Sequence, residues 1–169
     1  MTVKTQNGRD FYELLSALQK CIRRGLEYKA VRFAVEIEDF NPTALWNKLE
    51  TIASEDIGLV NPLMPILIEV LRKQYGKAKE NLQRLEKNEH RIFLVNAVVC
   101  LCHSSHSRIT DDLLWIAYNE MGLEPIPDFA LDGIHTVRET KEGRENWDLV
   151  VNEPFPNPYR EKAKKIRGY

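Results

Sequence analysis

Apolar residues recur at a helical spacing along almost the whole chain, and no segment sustains the two-residue alternation of a half-buried strand. Phe11, Leu14, Leu15, Leu18, Cys21 and Ile22 fall on one helical stripe, with Asp10 to cap it and Gly25 to stop it. A second helix carries Val31, Phe33, Ala34 and Ile37 and stops before Asn41-Pro42. A third carries Leu45, Trp46, Leu49, Ile52 and Ala53, with Thr43 as its cap and Gly58 as its stop. A fourth holds Met64, Leu67, Ile68 and Leu71, with Pro65 in its first turn and Gly76 at its end. Residues 77–91 have Leu82 and Leu85 as their apolar anchors and read as an exposed helix. Ile92 to Leu101 is apolar on all sides and reads as the central buried helix. Thr110, followed by Asp111 and Asp112, starts a helix through Leu113, Leu114, Ala117 and Tyr118 that ends at Gly122. The expectation is an all-α helical bundle of about six to eight helices.

Residues 1–8 are expected to be flexible, 9–150 to form a single helical domain, and 151–169 to make a Pro-rich basic arm. Pro154, Pro156 and Pro158 bias that arm toward extended backbone, and Phe155 and Tyr159 beside these prolines suit a neighbouring subunit. Leu123 to Gly133 reads as an ordered loop, and His135 to Trp147 as one more helix. Cys21, Cys100 and Cys102 are an odd count without a disulfide framework, which suits a reducing cytoplasm. The polar start lacks the apolar stretch of a signal peptide, and Ile92 to Cys102 falls far short of a ~20-residue span, so no membrane contact is expected.

Lys plus Arg number 24 against 25 for Asp plus Glu, which excludes a generally basic nucleic-acid coat but leaves room for local patches. Residues 72–91 and 160–169 each carry a surplus of four positive charges, whereas residues 36–56 carry a net −5. Arg72, Lys73, Lys77, Lys79, Arg160, Lys162, Lys164 and Lys165 are the candidate nucleic-acid contacts. A solvated surface, or pairing of acidic and basic patches between subunits, accounts for the same charges.

The run Ile52-Ala53-Ser54-Glu55-Asp56-Ile57-Gly58-Leu59, followed by Asn61-Pro62, is the most specific feature of the chain. Two carboxylates at a helix C-terminus face the negative end of the dipole, at ~0.3–1 kcal/mol each. An Arg or Lys from a neighbouring helix, or backbone N–H groups, should therefore offset Glu55 and Asp56. The run resembles the C-terminal helical region of the replication-associated recombination ATPases, the MgsA/RarA proteins of bacteria and the Werner-helicase-interacting protein of eukaryotes, relatives of the clamp loaders. Leu15 to Lys20, with Ile22-Arg23, is similar to the preceding helix of that family, and the resemblance covers roughly residues 9–122. It implies a collar-like bundle, a homo-oligomer on the tetrameric pattern, and docking to DNA or to replication, recombination and repair proteins. Ser54, Glu55, Asp56, Gly58, Asn61 and Pro62 are its structural or interaction motif.

The ATPase half of that family is absent. Glycines stand at 8, 25, 58, 76, 122, 133, 143 and 168, and none opens the G-x-x-x-x-G-K-[ST] loop that cradles phosphates. The expectation is therefore a non-enzymatic module without cofactor, self-associating through apolar helix surface. A metal is not expected at Cys100, Cys102, His103 and His106, since the two thiols diverge by about 200° on a helix. The alternative is a small enzyme or nucleotide-binding protein using Asp132, His135, Thr136, Arg138 and Arg144. Such an Asp–His pair also serves simply to pin a loop.

Overall fold

A computed structural model describes residues 3–80, 89–120, 122–146, 149, 158 and 160–167. Its contacts divide the chain into two compact units, Met1–Glu120 and Met121–Tyr169, and the division falls inside the 9–150 span read as one domain. The architecture is an all-α helical bundle, and the described residues hold two isolated bridges, Lys4–Asp10 and Asp132–Glu139, but no strand.

The first unit comprises α1 (Phe11–Arg23), α2 (Glu27–Phe40), α3 (Pro42–Ile52), a π-helical turn (Ala53–Ile57), α4 (Met64–Glu80), α5 (Arg91–His103) and α6 (Ile109–Asn119). Asp10 caps α1 by accepting from the N–H groups of Tyr12 and Glu13 at 2.9 and 3.0 Å. Gly25, at φ +63°, ends α1 in the left-handed conformation that glycine adopts without strain. The stripe then does its work: Leu18 and Ile22 meet Ile37, Leu45, Leu49, Ile68, Leu94 and Leu101, all without solvent exposure. Each such burial contributes ~1.5–3 kcal/mol.

Several local readings change. Residues 3–8 are ordered rather than flexible: Thr5 is buried and donates to Glu36 at 2.9 Å, beside the Arg9–Glu36 ion pair. Asn41, not Thr43, caps α3 by accepting from Ala44 N–H at 2.9 Å, because Pro42 at the first helical position moves the start two residues earlier. Gly76 lies inside α4, which continues to Glu80. Leu82 and Leu85 lie outside the described residues. On α5, Leu94, Ala97, Val98 and Leu101 are buried while Ile92 is exposed, so this apolar helix is covered on one side. Ile109 rather than Thr110 begins α6, its N–H donating to the Ser107 hydroxyl at 3.4 Å, and Asn119 rather than Gly122 ends it.

The second unit holds a 3₁₀ turn (Asp128–Ala130), α7 (Lys141–Asn146) and α8 (Arg160–Arg167). The helix expected from His135 shortens to α7, because Gly133 at φ +69° and an Asp132-centred turn reverse the chain first. Gly143 is buried so close to the preceding turn that a Cβ there would meet the Leu131 carbonyl and stand 2.8 Å from the Asp128 oxygen. Residues 160–167 are helical, not extended; Trp147, Pro154, Phe155, Pro156 and Tyr159 lie outside the described residues. No helix among the described residues is long and apolar enough to cross a membrane.

The two cap assignments separate cleanly by experiment. Asn41→Ala should cost ~1 kcal/mol in urea unfolding, whereas Thr43→Ala should stay within ~0.5 kcal/mol of the parent.

Candidate functional site

The Ser54–Asp56 motif folds as the π turn that closes α3. Gly58 follows it at a close approach, where a Cβ would stand 3.1 Å from the Ser54 carbonyl oxygen. The turn directs Asp56 inward, with Ala53 and Ile57, to complete burial. Gln19 and Arg23, one turn apart on α1, meet it there. Arg23 Nε donates to both Asp56 oxygens at 2.9 Å, and Gln19 Nε2 donates to Asp56 Oδ2 at 3.0 Å. The same pair reaches Glu55 Oε1, Arg23 Nη2 at 2.8 Å and Gln19 Nε2 at 3.2 Å. Arg108, on the link into α6, lies 3.7 Å from each carboxylate and pairs with Asp111 and Asp112. Ser107 N–H donates to the Asp56 carbonyl at 2.7 Å. Of the expected alternatives, an Arg or Lys from a neighbouring helix or backbone N–H groups, the first holds, and the residue is Arg23. Burial works against its charge, but the Asp56 hydrogen bond and the charges of Asp56, Glu55 and Asp111 outweigh it and raise its pKa. Ser54 stays exposed at the rim, and Asn61 and Pro62 form the turn that leads to α4, where Met64 N–H donates to the Asn61 carbonyl.

This clasp positions α6. Of that helix, Asp111 is buried, whereas Leu113, Leu114, Trp115, Ile116 and Tyr118 stand 50–83% exposed. Between α6 and α3 runs an open groove of about 850 Å³, walled by Thr51, Ser54 and Glu55 on one side and by Asp111, Leu114 and Tyr118 on the other. The sequence places Leu113, Leu114, Ala117 and Tyr118 on this helix without assigning them to the core. The signal that they are not core was present in the unbroken run Leu113-Leu114-Trp115-Ile116-Ala117-Tyr118, which is too wide for one buried stripe.

A second buried cluster escaped the sequence reading. Glu38, on the inner face of α2, accepts from Tyr75 Oη and Arg91 Nε at 2.6 Å each and lies 3.4 Å from His90 Nε2. Burial, then the hydrogen bond to the Glu38 carboxylate, pushes the Tyr75 phenol well above its usual value. Trp46 and His90 both pack against the Tyr75 ring. Glu38 lies four residues after Ala34, on the buried stripe itself, and that register was its signal.

The remaining candidates separate. Asp132 Oδ1 accepts from the N–H groups of Ile134 and His135 at 2.9 Å, its Oδ2 lies 2.8 Å from His135 Nδ1, and Thr136 Oγ1 is 3.3 Å away. Arg144 instead pairs with Glu139 at 2.7 Å, and Arg138 is exposed, contributing its carbonyl to the Thr136 hydroxyl. The cluster therefore spends its polar groups on holding the loop. Among the basic candidates, Arg72 is committed to Glu50 and Asn47, Lys73 to Glu69, and Lys79 to the Tyr75 hydroxyl. Lys77 is exposed on α4, and Lys162 and Lys165 are exposed on α8; the side chains of Arg160 and Lys164 lie outside the described residues. Burial pushes the Cys102 thiol up to about 11, which keeps it protonated at neutral pH. No group of three or more metal-ligating side chains gathers among the described residues.

Arg23→Met, which strands the buried Asp56 charge, should destabilise the protein by ~3–5 kcal/mol in urea unfolding. The Asp132 carboxyl, held well below the usual carboxylate range by the His135 side chain and then by the His135 and Ile134 N–H groups, generates a pH expectation. Its contribution to the turn is complete above the unfolded value of ~3.9 and is lost only as pH falls through the lower folded value. Carbon NMR titration of Asp132 should place its midpoint well below ~3.9, and His135→Ala should raise it.

No protein-family model matches the chain, and no curated protein matches it at a significant level.

Proposed function

We propose that the chain is a non-enzymatic self-association and docking module, with α6 as its adhesive element. The carrying observation is the exposure of that helix: six large apolar side chains, Ile109 among them, stand half or more in solvent on one short element. At ~150–250 Å² for an aromatic side chain and somewhat less for an aliphatic one, this surface is on the order of 600 Å². Typical monomers rarely leave a larger apolar patch open, and a standard interface buries ~800 Å² per partner. The groove beside α6 adds carboxylates and hydroxyls at its rim, the usual composition around an apolar contact.

The resemblance of the Ser54–Pro62 motif to the helical region of the recombination ATPases supports the same reading, since that family uses the region to hold subunits together. On this reading the chain is a homo-oligomer, tetrameric by the family pattern, that docks with DNA or with replication, recombination and repair proteins. Against the enzymatic alternative stands the use of both Asp132 oxygens in holding its own turn.

Sedimentation from low to high micromolar concentration should show a mass rising above the 19.7 kDa of one chain. Trp115→Glu, at a site 65% exposed, should leave the fold intact and return the mass to that of a monomer. A parent protein that stays monomeric throughout would overturn the proposal.

A further inference from the structure

The first unit carries two open apolar surfaces of different shape. One is the ridge of α6. The other spans α4 and α5. Leu63, Ile66, Leu67 and Val70, spaced i, i+3, i+4 and i+7, form an exposed stripe that begins just before α4 and runs along it. One turn further, Leu71 and Gln74 form one wall of a groove of about 380 Å³, and Ile92, Phe93 and Val99 of α5 form the other. A groove of this kind accepts the apolar face of a helix.

Charge selects which helix. From Ile109 to Glu120 the chain holds Asp111, Asp112 and Glu120 and no Lys or Arg. Two α6 helices set face to face and antiparallel would bring Asp112 of one against Glu120 of the other, and a parallel pairing would set Asp112 against Asp112. Both juxtapose like charges. By contrast, α4 holds Arg72, Lys73, Lys77 and Lys79 against Glu69 and Glu80, and with Arg72 paired to Glu50 and Lys73 to Glu69 it stays net positive through Lys77 and Lys79. An acidic ridge laid along a groove with a net basic wall is complementary in both shape and charge.

We infer that copies of this chain associate head to tail, with α6 of one copy seated in the α4–α5 groove of the next. This rests on the self-association reading and specifies its geometry. Trp115 and Ile116, which do not line the groove beside α3, are the side chains presented to the next copy. Such an interface is heterologous: each copy offers one ridge and one groove, so the assembly closes as a ring or extends as a chain.

The test uses two variants of the full chain. Trp115→Glu with Ile116→Glu spoils the ridge and spares the groove; Val70→Glu with Ile92→Glu does the reverse. All four positions are 43–65% exposed, so circular dichroism and the thermal midpoint should match the parent. If either variant fails that check, Trp115→Ser and Ile92→Ser replace the two pairs. Each variant alone should sediment as a monomer at high micromolar concentration, and an equimolar mixture should give a one-to-one dimer of twice the monomer mass. A groove variant that self-associates like the parent, or a mixture that stays monomeric, would overturn the head-to-tail geometry. A monomeric parent would instead overturn self-association itself, and the two failures are told apart by the parent's mass.

Discussion

A fully buried carboxylate sets the terms for the first unit. Asp56 has no solvent contact, and a lone charge in that position would cost several kcal/mol. Arg23 and Gln19 from α1, with Arg108 close by, convert the liability into a three-way tie between α1, the end of α3 and the entry to α6. Replacement by an apolar residue of similar size would relieve the desolvation. It would also remove the directional bonds that fix where α6 departs. The Glu38 cluster acts in the same way further along, fastening α2 to α4 and α5 through Tyr75 and Arg91.

The helices were legible because their signal is periodic. Asp10, Gly25 and the stripe from Phe11 to Ile22 stand where their chemistry requires. Boundaries were less so: Asn41 and Thr43 are both competent caps, and the choice turns on where Pro42 sits, which is a matter of backbone geometry. Gly76 carries a stop signal that tertiary contacts of Leu71 and Tyr75 override. Part of the site was readable in outline. The need for a cation near Glu55 and Asp56 follows from helix electrostatics, but its identity as Arg23 depends on how α1 crosses the bundle. The unbroken apolar run of α6 signals that part of it is exposed, but not which part, because composition does not distinguish an apolar face inside a core from one on a surface.

The contrast between the two polar clusters also bears on function. At Asp132 each carboxylate oxygen is engaged by the loop it organises, so the ties of this cluster stay within one turn. At Asp56 the ties lead outward to α6, an element whose apolar side chains face solvent. The ties at Asp56 thus fix the start of a helix whose apolar side chains are exposed.

The π turn carries one consequence of its own. A helix with five-residue hydrogen bonding contains one residue more than the regular form, and here that surplus sits between Ala53 and Ile57. Loss of a single residue from this stretch would restore regular winding, leaving the downstream chain in place but shifting by one position which side chains the turn points inward. Asp56 would swing away from Arg23, and the link through Ser107 and Arg108 would lose its anchor. The length of this segment is therefore under tighter constraint than most of its side chains: drift in residue identity is tolerable at the exposed Ser54, whereas a one-codon deletion beside it is not.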